Sequence, residues 1–244
     1  AAATGVRRGA RVVVVAPYEG PLRDSTAGRA AVLAPRLWVP DEFGLCRYLT
    51  AGLAVVQAVD QRAGIDLGLL ADELDAEALR NSAGRELFTN PAKTIAARMT
   101  ARRVALAGDC AATLALARHG SSVLLRTAHR VVAATGLVDA VVALRAGASD
   151  GFPDSADALF HDEQIDGPRP ERLRVLALTL SAERTVISAR VAGFDDVYLV
   201  TAEDVPEMSD AAGGSAGAGS AEQQLAVLAV RLEMAAVYMR LVRG

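Results

Sequence analysis

The stretch that decides the fold is Arg102–Thr135, RRVALAGDCAATLALARHGSSVLLRTAHRVVAAT. RRVALAG is a short apolar run ending at a glycine, the pattern of a strand buried on both faces. CAATLALARHGSSVLLRTAH then has helical length, with Asp109 placed to cap its first turn. RVVAAT, Arg130–Thr135, reads as the next strand. Strand, helix and strand inside one short window define a unit that can close only as a parallel pair crossed by a helix.

The same alternation continues downstream. LVDAVVALRAG is a helix ending at Gly147, LRVLALTL is a strand, SAERTVISARVAG is a helix from Ser181 to Gly193, and DVYLVTA is a strand. GGSAGAGS has the composition of a flexible linker. EQQLAVLAVRLEMAAVYMRLV is a long closing helix. Upstream the series is shorter. RVVVVA, Arg11–Ala16, suits a strand buried on both faces, and PYEGPLRDSTAGRA has the turn chemistry of a loop. VLAPRLWVP, Val32–Pro40, reads as an edge strand interrupted by Pro35. Asp41 is placed to cap a helix over Phe43–Gln61, with Leu45, Leu49, Leu53, Val56 and Val59 on one face. GIDLGLLADELDAEALRNS, Gly64–Ser82, is acidic, weakly amphipathic and partly helical. NPAKTIAARM opens a helix with Asn90 as its cap and Pro91 in its first position. The expected division is 1–63, a connection over 64–89, and 90–244.

Composition narrows the classes of function. Of 244 residues, 52% are apolar but only 4% aromatic, so the core is built from Ala, Val and Leu and no base-stacking surface is available. A net charge of −3 gives no electrostatic footprint for nucleic acid or an anionic membrane. No apolar run reaches the length of a membrane span. Cys46 and Cys110 are far apart and form no CxxC, which argues against a disulfide framework and a zinc site, and points to a reducing cytoplasm. AAATGVRRGA lacks a starting Met and a signal-peptide core, and RVVVVAP follows at once, as if the chain entered a domain already under way.

The groups that could carry chemistry are few. ALFHDEQIDG, Ala158–Gly167, sets His161, Asp162 and Glu163 beside a strand. In an extended segment His161 and Glu163 share a face, which suits an acid/base pair; a polar turn with Asp162 or Asp166 bonding its own backbone explains the same residues. Arg23, Ser25 and Thr26 follow a strand, where open α/β sheets bind ligands, and are candidate anion contacts; an ordinary loop is the alternative. His119 and His129 lie ten apart, off any helical metal spacing. Lys93 is the only lysine among 26 Lys and Arg residues and reads as a surface helix residue.

The order of these pieces, with NPAK opening the second half, resembles sugar isomerase (SIS) domain proteins, and more closely the bifunctional phosphoglucose/phosphomannose isomerase family with its actinobacterial TobH relatives. RGARVVVVAP looks like a later strand of that family's first SIS domain, and DEFGLCRYLTAGLAVVQAV like its closing helix. LFTNPAKTIAARM looks like the lead into the second domain, RRVALAGDCAATLALARH like its first strand and helix, and QLAVLAVRLEMAAVYMRLVRG like its last helix. The resemblance covers the whole chain by pattern. It implies tandem flavodoxin-like three-layer αβα domains with parallel sheets, the first lacking its front half. It also implies a cytoplasmic homodimer, a phosphosugar ligand, no cofactor and no metal.

Two classes of function follow. The first is a metal-independent aldose–ketose isomerase, for which the family places a His-Asn-Glu sequence near His161–Glu163. The second is a non-catalytic SIS protein, binding a phosphosugar or serving as a structural or regulatory partner of sugar-nucleotide enzymes. The family's hydroxyl-rich phosphate loop would precede this chain, and a family lysine would follow Gly244. Its catalytic carboxylate belongs on the first long helix of the second domain, near Leu124–Arg126, yet no Asp or Glu occurs between Cys110 and Gly136. The resemblance therefore implies a degenerate catalytic site.

Overall fold

The computed structural model describes residues 1–16, 19–100, 103–149, 172–203 and 219–243. The chain is α/β with parallel sheets and divides into two compact units, 1–68 and 69–244. Among the described residues no helix is long and apolar enough to cross a membrane.

The first unit holds α1 (Ala2–Arg7), β1 (Val12–Val14), α2 (Gly20–Thr26), β2 (Ala30–Val32) and α3 (Leu45–Val59). β1 and β2 pair in parallel, with Val12 opposite Ala30 and Val14 opposite Val32. Arg47 of α3 donates to the Val15 carbonyl at the end of β1. Four expectations are corrected here. RVVVVA is not buried on both faces: Val14 is buried, but Val13, which points to the opposite face, stays 38% exposed. PYEGPLRDSTAGRA is not a loop throughout, because Pro21 stands in the first turn of α2 and Ala27, at φ 47°, ends it in the left-handed conformation. The second strand pairs before Pro35, not across it, which leaves Leu37 and Trp38 exposed. Asp41 opens a single 3-10 turn, and α3 starts from Gly44 with no side-chain cap.

The second unit begins within α4 (Leu67–Arg80), followed by α5 (Pro91–Arg98), β3 (Val104–Gly108), α6 (Ala111–Ala128), β4 (Ala133–Gly136), α7 (Leu137–Ser149), β5 (Arg174–Leu178), α8 (Arg184–Val191), β6 (Val197–Val200) and α9 (Ala221–Arg243). The sheet order is β4-β3-β5-β6, all parallel. The direction of winding therefore reverses between β3 and β5, as in flavodoxin-like sheets.

Period-two alternation sends the two faces of this sheet into different helix layers. Ala105 and Ala107 of β3, with Val175 and Ala177 of β5, pack against Leu137 and Ala140 of α7 and Ile187 and Val191 of α8. Leu106 points the other way, toward Gly120 of α6, and Gly120 also lies against Leu232 of α9. A Cβ at Gly120 would come within 2.8 Å of Leu106 and 3.1 Å of Leu232, so the glycine lets these two leucine tips pack closely on α6.

Buried polar groups fasten α4 and α5 to this core. Glu77 and Arg231 are 0% and 3% exposed, and the guanidinium meets the carboxylate through Nε at 2.6 Å and Nη2 at 3.0 Å. Arg80 adds a bond to Glu77 at 3.1 Å, and Arg231 donates to the Thr201 carbonyl at 2.8 Å. The Asn90 Oδ1 accepts from the Lys93 amide at 2.9 Å, as its position before Pro91 requires, and Nδ2 donates to the Ser82 carbonyl at 3.0 Å. Most of the segment 64–89 thus lies in the second unit as α4 and its turn.

Candidate functional site at the carboxyl edge of the second sheet

In an open α/β sheet the ligand crevice forms outside the strand C-termini where the winding reverses. Here that point lies beyond Gly108 of β3 and Leu178 of β5. Gly108 turns directly into α6, and a Cβ on it would stand 2.3 Å from the Leu114 amide nitrogen. Only glycine allows the strand end and the first helical turn to approach so closely.

The cap of α6 is not Asp109. The Cys110 amide donates to the Thr113 hydroxyl at 3.2 Å, and Thr113 is fully buried beneath that turn. Asp109 instead accepts from Arg190 of α8, whose Nη1 lies 2.8 and 2.6 Å from its two oxygens. Ala111 and Ala112, the first two residues of the helix, are exposed, and a helix N-terminus favours an anion.

The opposite wall is the loop after β5. Gln224 at the start of α9 accepts from the Ser181 amide at 2.8 Å and hydroxyl at 3.0 Å, and donates to the Gly219 carbonyl at 2.6 Å, so one buried amide ties the loop after β5 to the segment that leads into α9. Glu183 follows, and its Oε2 is buried without a hydrogen-bond partner among the described residues. An acceptor left unmet inside a protein is costly unless a ligand or water meets it. Sequence reasoning passed over Glu183, Arg190 and Gln224, because each is an ordinary polar residue until the sheet order brings its loop to the reversal point.

The residues singled out from sequence fare differently. His161 and Glu163 lie outside the described residues. Arg23, Ser25 and Thr26 share α2 in the first unit, where Arg23 and Ser25 are exposed and Thr26 is buried. Their groups do not converge: Ser25 Oγ donates to the Leu22 carbonyl at 3.0 Å, Thr26 Oγ1 lies 3.1 Å from the Arg23 carbonyl, and Arg23 pairs loosely with Asp24 at 3.8 Å. Lys93 Nζ donates to the carbonyls of Ala83 and Arg85, at 2.8 and 2.6 Å, and clamps the turn before α5. His119 Nε2 meets Glu233 Oε1 at 2.8 Å, and Arg240 Nη1 lies 2.8 Å from His129 Nε2. Both histidines thus join α6 to α9. Near Leu124–Arg126, Leu124 is fully buried and Leu125 is 52% exposed.

The second unit is therefore a doubly wound parallel α/β unit whose reversal point is flanked by the first turn of α6 and the loop after β5. Among solved structures, the chain is similar to a glucose-6-phosphate isomerase-like protein from Thermus thermophilus, with a TM-score of 0.52 and 18% identity over 92% of this chain and 69% of that one. At that identity the likeness concerns the fold. No family model matches the chain, and no curated protein matches it in sequence.

Proposed function

We propose that the chain is a phosphosugar-binding protein of the sugar-isomerase type that binds without isomerising. The observation that carries this reading is the exposed first turn of α6 at the sheet's reversal point, from which the helix runs over Ala111–Ala128 without one carboxylate. In this reading the phosphate takes the Ala111 and Ala112 amides and draws Arg190 from Asp109. An ion pair with Arg190 half exposed is worth only about 0–1 kcal/mol, so opening it costs little. Glu183 Oε2 accepts from a sugar hydroxyl. Aldose–ketose isomerisation needs a base at the C2 proton, and a positioned base contributes roughly 10²–10⁴-fold; the leucines of α6 supply none.

The same reading makes the two units tandem SIS domains, like those of bifunctional phosphoglucose/phosphomannose isomerases and TobH proteins, in a cofactor-free cytoplasmic homodimer. The order of elements supports it. His161 and Glu163 enter as sugar contacts, and Arg23, Ser25 and Thr26 as anion contacts of the first unit. A second reading, a non-catalytic structural or regulatory partner of sugar-nucleotide enzymes, is favoured by one observation: Asp109 holds a carboxylate beside the helix N-terminus that would receive the anion.

The test is differential scanning fluorimetry with glucose 6-phosphate, mannose 6-phosphate and the free sugars. A rise in melting temperature with the phosphosugars only, lost in Arg190→Ala, is the expected result. No rise with any of them would favour the partner reading.

A further inference from the structure

We propose that a cavity between α5 and α9 is a second, independent binding site, taking an amphipathic organic anion of the medium-chain carboxylate class. The cavity measures about 380 Å³, within the size range of small-molecule pockets. Its walls are apolar. Ala96 and Ala97 of α5 leave the hollow, and the Tyr238 ring, Met239 and Val242 of α9 line its other side.

The charges that line it have one sign. Lys93 and Arg130 border the cavity, and among the described residues no acidic one does. Lys93 Nζ rests on two backbone carbonyls and sits 5.3 Å from the centre of the Tyr238 ring, with no carboxylate partner among the described residues. Carbonyl dipoles orient this ammonium but do not neutralise it. Arg130 is held at the border by its Nη2, which donates to the Met99 carbonyl at 3.0 Å. An apolar tail in the hollow with an acid group at the Lys93 side meets both features at once, which neither a neutral nor a cationic amphiphile does. This site owes nothing to the crevice at the sheet edge, which lies at the N-terminus of α6.

The experiment is calorimetric titration of the whole chain with decanoate and, separately, with decyltrimethylammonium, which has the same tail and the opposite charge. Saturable binding of one decanoate per chain is expected, at least about tenfold tighter than the cation. Ala97→Phe fills the hollow from an exposed helix position and should weaken decanoate by about tenfold or more, with the melting temperature unchanged. Lys93→Met should weaken decanoate while leaving the cation unaffected. Equal affinity for both amphiphiles, no saturation, or indifference to Ala97→Phe would overturn the proposal. So would a dimer in sedimentation that Ala97→Phe dissociates without any decanoate binding, since the cavity would then be a face between copies.

Discussion

Arg231 is the residue on which most of the second unit's polar interior depends. It stands in an otherwise apolar turn of α9 and reaches Glu77 of α4 and the carbonyl beyond β6. Arg231→Leu leaves the buried Glu77 carboxylate with Arg80 as its remaining cation, so it should cost about 3 kcal/mol, the lower end for a broken buried pair, read as a lower urea midpoint. Arg231→Leu with Glu77→Leu should be less damaging than the sum of the two single changes, because no charge is left alone. Half of this was legible. A lone arginine inside AVLAVRLEMAAVY demands a partner, but Glu77 is one acid in an acidic run, and sequence spacing cannot say which acid folds inward. Glu183 was invisible for the same reason, and Glu183→Gln should leave the fold intact while weakening phosphosugar binding in calorimetry.

Among the elements, those with length and strong local signals were read correctly: α6, α9, β3 and β5, and α5 with its Asn-Pro start. Asn90→Ala removes a cap and one of two donors to the Ser82 carbonyl, so it should cost about 1 kcal/mol in thermal or urea unfolding. What failed were short signals overruled by neighbours. Asp109 has the right chemistry for a cap, but Arg190 holds it and Thr113 closes the turn. The left-handed turn at Ala27 completes a helix where turn residues alone suggested a loop. Two glycines rank the packing of α6. A Cβ at Gly120 meets movable leucine tips, whereas one at Gly108 meets backbone. Gly108→Ala should therefore be the more destabilising by about 1 kcal/mol or more in equilibrium unfolding.

For the whole molecule, strand–helix alternation was enough to give two α/β units and parallel sheets, because few architectures bury such a pattern. The site was less legible, since a crevice at a winding reversal depends on strand order, and nothing in the sequence states that β5 lies beside β3. The central claim is that this crevice binds a phosphosugar and does not turn it over. The most direct measurement is calorimetric titration of the chain with glucose 6-phosphate, with a coupled isomerase assay on the same preparation. Saturable binding, weakened by Arg190→Ala, is expected, with no conversion to fructose 6-phosphate above the uncatalysed rate. Measurable turnover, or no binding, would contradict it.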